Sequence, residues 1–198
     1  MASVSVNRSR LYLIMLVAMF IIPMLIAWLM VGSWQPSSRV DHGQLLDPAR
    51  PLPAGFATLE GEQPVGGKPI GRWTLSYIGT GGDCDDTCRE VLYSMRQVRL
   101  ALGRDLDRVQ TWYLNRTPLA EDVKTWLDSE HPATEIGRLD QNGLAFLAEA
   151  FDDSGNIESN WIYLVDPLGN LVSRYPVTGN SKDLLTDLRR LLKYSNIG

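Results

Sequence analysis

The stretch Trp73-Thr74-Leu75-Ser76-Tyr77-Ile78-Gly79-Thr80-Gly81-Gly82-Asp83-Cys84-Asp85-Asp86-Thr87-Cys88-Arg89-Glu90-Val91 decides how this chain folds. Its opening residues are aromatic and β-branched and predict a strand over 72–78. The glycines that follow break it. From Asp86 or Thr87 onward, Val91, Leu92, Met95, Val98, Leu100 and Leu102 recur at helical spacing and predict a helix over 87–103. Cys84 and Cys88, the chain's only two cysteines, stand where loop becomes helix. Four apart in a first helical turn, they share a face, with Cα atoms roughly 6 Å apart and inside the disulfide window. Free N–H groups and the positive dipole end favour thiolate there, while Asp83, Asp85 and Asp86 oppose it. Two such sulfurs can close reversibly as a redox pair or hold a soft ion such as Cu(I). An inert structural disulfide, or two thiols that merely lie close, are the other readings.

Outward from this unit the pattern alternates. A strand is expected at 108–114, then a helix at 118–129 with Thr117 as cap and Pro118 in its first turn. A short strand at 135–139 precedes a helix at 142–150. Strands at 161–165 and 170–175 are joined by the turn Asp166-Pro167-Leu168-Gly169, and a helix over 181–194 opens at Asn180 or Ser181. An early βαβ unit, a hairpin and a terminal helix describe an α/β, thioredoxin-like sandwich over residues 68–198. Trp73, Trp112, Trp126, Trp161 and Met95 read as core and rim, and Asp140, Asp152 and Asp153 as solvated turns. No phosphate-binding loop, dinucleotide fingerprint or Ser/His/Asp arrangement is legible.

The other end of the chain is of a different kind. Residues 11–32 are apolar without one charge, about 33 Å as a helix, which is enough for a bilayer's hydrocarbon core. Pro23 is tolerable in such a segment, and Tyr12, Trp28 and Trp34 suit the interfaces. Arg8 and Arg10 lie before it with no acid, so residues 1–10 are expected in the cytoplasm and the remainder in the periplasm, across a bacterial inner membrane. The apolar core is longer than a cleaved signal requires. Residues 33–67, with Pro36, Pro48, Pro51, Pro53 and Pro64, read as linker and irregular lead-in, with Leu59 and Val65 as partners in a short hairpin. The chain carries 19 Lys and Arg against 23 Asp and Glu, and setting Arg8 and Arg10 aside leaves the remainder more acidic still. That balance disfavours nucleic acid as a partner.

Strand, Gly-rich loop, CxxxC and helix, followed by Ile162-Tyr163-Leu164-Val165-Asp166-Pro167-Leu168-Gly169-Asn170, resemble the Sco/SenC family of membrane-anchored thioredoxin-fold proteins. The matching stretches include Ser76-Tyr77-Ile78-Gly79 with Cys84 and Cys88, within about residues 60–194, and the apolar N-terminus fits the same layout. The resemblance implies a role in assembling respiratory cytochrome c oxidase, with copper delivered to, or thiols readied in, subunit II. It implies Cys84 and Cys88 as redox pair and as copper ligands.

Two departures stand out. Asp85 fills the place of the family's proline after the first cysteine. The family's third copper ligand, a histidine shortly before the Tyr-Leu strand, is matched by Glu158, a hard oxygen donor poorly suited to Cu(I). The chain's two histidines, His42 and His131, both read as solvated loop residues. Three expectations follow: an oxidase-assembly protein that handles copper or exchanges thiols, with any enzymatic activity that of a thiol–disulfide oxidoreductase; a scaffold factor that has lost copper binding; or a general envelope thiol reductase.

Overall fold

A computed structural model describes residues 8–31, 42–61, 64–152 and 160–195. The chain divides at Val40–Asp41 into two units. The first holds helix α1 (Arg8–Val31), which runs unbroken through Pro23. Its Arg10–Leu29 window has a mean hydropathy of 2.5, and Tyr12, Phe20 and Trp28 stand exposed along it. By length and composition α1 can cross a membrane.

The second unit is built on one eight-stranded mixed sheet. In chain order its elements are β1 (Gln44–Pro51), β2 (Ala57–Leu59), β3 (Pro64–Val65), β4 (Trp73–Gly79), α2 (Asp86–Ala101), a 3-10 turn (Gly103–Arg108) and β5 (Val109–Asn115). Then follow α3 (Glu121–Glu130), β6 (Thr134–Leu139), α4 (Gln141–Ala150), β7 (Trp161–Val165), β8 (Asn170–Pro176) and α5 (Ser181–Tyr194). The strand order is β1-β8-β7-β4-β5-β6-β2-β3. β4, β5 and β6 run parallel, as the helical crossovers require, and β7 lies antiparallel on the other side of β4. This is the expected thioredoxin-like α/β architecture.

Every residue of β4 and β5 is buried, so both faces of the sheet are covered. On one face Leu75, Tyr77 and Tyr113 meet the apolar stripe of α2 (Val91, Leu92, Met95, Val98), Val123 and Leu127 of α3, and Leu184, Leu188 and Leu192 of α5. On the other, Ile78, Trp112 and Leu114 meet Phe56 and Leu147. The alternation is the strand period of two expressed as two cores. Each large side chain so buried contributes about 1.5–3 kcal/mol. The β7–β8 turn is held by Asp166, whose side chain accepts from Asn170 N at 2.8 Å, with Gly169 at φ 87° where L-residues are rare.

Four differences from the sequence reading have physical causes. The lead-in is not all linker: from Gln44 it enters the sheet as β1, paired antiparallel with β8, and β2 pairs with β6 as well as with β3. Its prolines concealed the strands because they fall at exposed positions such as Pro48 and Pro51. α3 starts at Glu121 rather than at Pro118, because Ala120 N is already engaged with Gly82 O and Ala120 serves as the cap. α2 ends at Ala101 with Leu102 as its buried cap, and Leu100 within the helix faces solvent instead of joining the apolar stripe. His131 is no solvated loop residue: it caps α3, donating from its backbone N to Leu127 O, and is 4% exposed with its ring on Trp126.

Candidate functional site

Asp85 makes the site's local geometry. It sits in extended conformation at the N-cap of α2, and its Oδ1 accepts from Cys88 N at 2.8 Å, as an Asp cap should. That fixes Cys84 one residue before the cap and Cys88 within the first turn. The two sulfurs are joined in a disulfide across a Cα–Cα distance of 5.3 Å. Both cysteines lie inside, 6% and 4% exposed, although Asp83, Asp85, Asp86 and Thr87 around them are open to solvent.

Two loops meet just before the bridge. Gly82 O accepts from Ala120 N at 3.0 Å, and a Cβ at Gly82 would come 2.8 Å from Pro118 O. Arg89 reaches back from α2, its Nε donating to Cys84 O at 3.3 Å and its guanidinium lying 4.7 Å from the ring centre of Trp126.

Beneath the bridge stand two tyrosines. Tyr77 and Tyr113 are register partners on β4 and β5, and their rings stack at 5.9 Å with planes 11° apart. The Tyr113 hydroxyl lies 3.2 Å from Cys88 Sγ. A disulfide sulfur carries no proton, so the hydroxyl is the donor. Burial above all holds Tyr77 well above the ordinary phenol range, aided by Tyr113 and Asp85. Burial likewise raises Tyr113, with Asp85 adding to the effect and the neighbouring Asn115 amide opposing it. Both hydroxyls therefore stay protonated as donors. Gly79 permits this arrangement, since a Cβ there would fall 2.7 Å from the Tyr113 hydroxyl and closer still to Asn115 Oδ1.

The structure thus brings Cys84 and Cys88 together and brings neither histidine to them. His42 is bound on α5, its backbone N and its Nδ1 meeting Asp187 at 2.9 and 3.2 Å, and Tyr175 Oη meets the same carboxylate at 3.2 Å. His131 packs on Trp126 at the far end of α3. Glu158 and Asp153 lie outside the described residues. Among the described residues no group of three His, Cys, Asp or Glu side chains could hold a metal ion. Among the described residues the donor set is two sulfurs, which when reduced suits a soft, low-coordinate ion.

Sequence reasoning missed Tyr77, Tyr113, Arg89 and Trp126. The signal for the tyrosine pair was the parallel register of two strands, in which both aromatics take the same face.

Residues 73–195 match the family model described as the transmembrane-like, thioredoxin-like, C-terminal domain. No curated protein matches the chain in sequence. Among solved structures, the chain is similar to Bradyrhizobium japonicum ScoI with copper bound, at 24% identity and a TM-score of 0.50, over 72% of this chain and 98% of that one. It is also similar to the apo Sco1 protein from Thermus thermophilus (19% identity, TM-score 0.57, 76% and 96% covered). A thiol:disulfide interchange protein from Bacteroides sp. is similar as well (16% identity, TM-score 0.52, 75% and 91% covered). At these identities the shared property is the fold, and the match over residues 73–195 says that the chain belongs to the family of transmembrane-like, thioredoxin-like C-terminal domains.

Proposed function

We propose that this is a Sco-like protein, anchored by α1 with its thioredoxin-like domain in the periplasm, that exchanges thiols and disulfides through Cys84 and Cys88. Its client is a cysteine-bearing copper subunit of a respiratory oxidase, of the cytochrome c oxidase subunit II type. The observation that carries the reading is the closed Cys84–Cys88 bridge at the start of α2, with a hydroxyl donor on one sulfur and no imidazole beside it. In the working direction one cysteine thiolate of the pair attacks a client disulfide, forming a mixed disulfide with one client sulfur as the client S–S bond breaks and the other client sulfur leaves as a thiolate. The second cysteine thiolate then attacks the sulfur of the first, closing the Cys84–Cys88 bridge, and the remaining client sulfur leaves as a thiolate. Two electrons pass to the client, and an upstream dithiol must reduce the pair again.

A second reading rests on the copper-bound ScoI structure that shares this fold. In it, Cu(I) is cargo carried between the reduced sulfurs. One experiment separates the two. The reduced domain, Cys84→Ser and Cys88→Ser are titrated with Cu(I) against a competing chelator and, separately, equilibrated in glutathione buffers. Exchange without retained Cu(I) supports the first reading, and one Cu(I) lost in either serine variant supports the second. A bridge that neither equilibrates nor binds Cu(I) would leave a scaffold role and remove both.

A further inference from the structure

The buried face of the disulfide is asymmetric. Tyr113 Oη stands 3.2 Å from Cys88 Sγ. The hydroxyl is held by structure around it: the ring is fully buried, stacked on Tyr77, and placed where Gly79 leaves room for it. Cys84, by contrast, is the cysteine on the loop side, flanked by exposed Asp83 and Asp85.

We infer that Tyr113 is a catalytic hydrogen-bond donor that stabilises Cys88 as the sulfur that departs, leaving Cys84 as the sulfur that bonds to the client. The inference rests on the thiol-exchange reading above and assigns the roles within it. When the bridge is opened, an incoming thiolate bonds to Cys84 Sγ, the Cys84–Cys88 bond breaks, and the bonding pair leaves on Cys88 Sγ. A neutral disulfide sulfur accepts a weak hydrogen bond, whereas a thiolate accepts a strong one. The same hydroxyl therefore favours the reduced pair over the oxidised one. Among the described residues Tyr113 is the side chain that donates to Cys88 Sγ, and the backbone N–H of Cys88 is itself given to Asp85 Oδ1.

The test equilibrates the full-length protein in detergent with reduced and oxidised glutathione and reads the fraction oxidised. Tyr113→Phe removes only the oxygen and is expected to shift the equilibrium constant about tenfold toward the disulfide, which is about 30 mV at two electrons. Trapping a mixed disulfide with a small thiol should capture Cys84, and Tyr113→Phe should slow its formation. Tyr93→Phe, an exposed tyrosine on α2, controls for loss of any phenol and is expected to leave the constant unchanged. Should Tyr113→Phe fold poorly, difluorotyrosine placed at 113 keeps the shape while strengthening donation, and is expected to move the constant the other way. A constant unmoved in a folded Tyr113 variant, or a mixed disulfide on Cys88, overturns this inference while leaving the exchange reading intact. A wild-type bridge that never equilibrates overturns both.

Discussion

Ala120 N donates to Gly82 O at 3.0 Å, and this one backbone hydrogen bond ties the loop that ends at Cys84 to the residues that lead into α3. The consequence is steric control. A reactant must reach sulfurs that are nearly inaccessible, so the approach depends on how firmly these two loops close. Gly82→Ala places a methyl against Pro118 O and must push the loops apart. The variant should cost about 1–3 kcal/mol, the usual range for overpacking. Its bridge should be reduced several-fold faster by a phosphine reductant under native conditions. Unchanged reduction kinetics in a folded variant would show that access runs elsewhere.

Reducing the bridge should cost little stability. Cys84 and Cys88 are only four apart in sequence, so the effect of their small ring on the unfolded chain lies at or below the low end of about 2–4 kcal/mol. Both side chains belong to the core cluster and stay buried as thiols. Thermal melts with and without reductant should differ by roughly 5 °C, at about 2–4 °C per kcal/mol for a domain of this size. A collapse of cooperative unfolding on reduction would mark the bridge as a structural staple.

His131 should make the domain acid-sensitive. Its pKa is lowered from the ordinary 6.5, first by burial and then by Arg96, with Glu130 opposing. The folded state therefore binds its proton less readily than the unfolded state. Stability from this group is fully present above pH 6.5 and is lost as pH falls below that value toward the depressed folded pKa. Urea melts between pH 5 and 8 should show this slope, and His131→Phe should flatten it. An identical slope in the variant would place the sensitivity in another group.

A reporter joined after Gly198 tests topology. Arg8 and Arg10 at the start of α1 predict activity only on the periplasmic side. Moving the positive charge, with Arg8→Glu and Arg10→Glu and lysines added after Val31, should invert a fraction of the molecules. Cytoplasmic activity of the unmodified fusion would reject the orientation.

Most of this architecture was legible in the residues. β4 and α2 announced themselves because a strand rich in aromatic and β-branched residues and a helical stripe flank two glycines and the cysteine pair. The hairpin was legible because Asp166 and Gly169 serve a turn that few other residues can make. What escaped notice was non-local. β1 is interrupted by Pro48 and closed by Pro51, and β2 is only three residues long, so neither shows a pattern of its own, and they become strands only when β8 and β6 offer edges to pair with. The Tyr77–Tyr113 stack depends on a register between segments far apart in sequence. The start of α3 was misplaced because Thr117-Pro118 is a good local signal, overridden by the contact of its neighbour Ala120 with Gly82.

The pairing of β1 with β8 also governs how this domain meets its own copies. A sheet's outermost strands are templates for intermolecular pairing, and the length of free backbone there sets the hazard. One rim here is β1, Gln-Leu-Leu-Asp-Pro-Ala-Arg-Pro, in which two prolines lack the N–H a further strand would need. The other is β3, only Pro64 and Val65. Both margins are thus blunted against aggregation. A fragment begun after Pro51 would strip the first margin and lay bare Asn170–Pro176, a seven-residue strand whose one proline stands at its end.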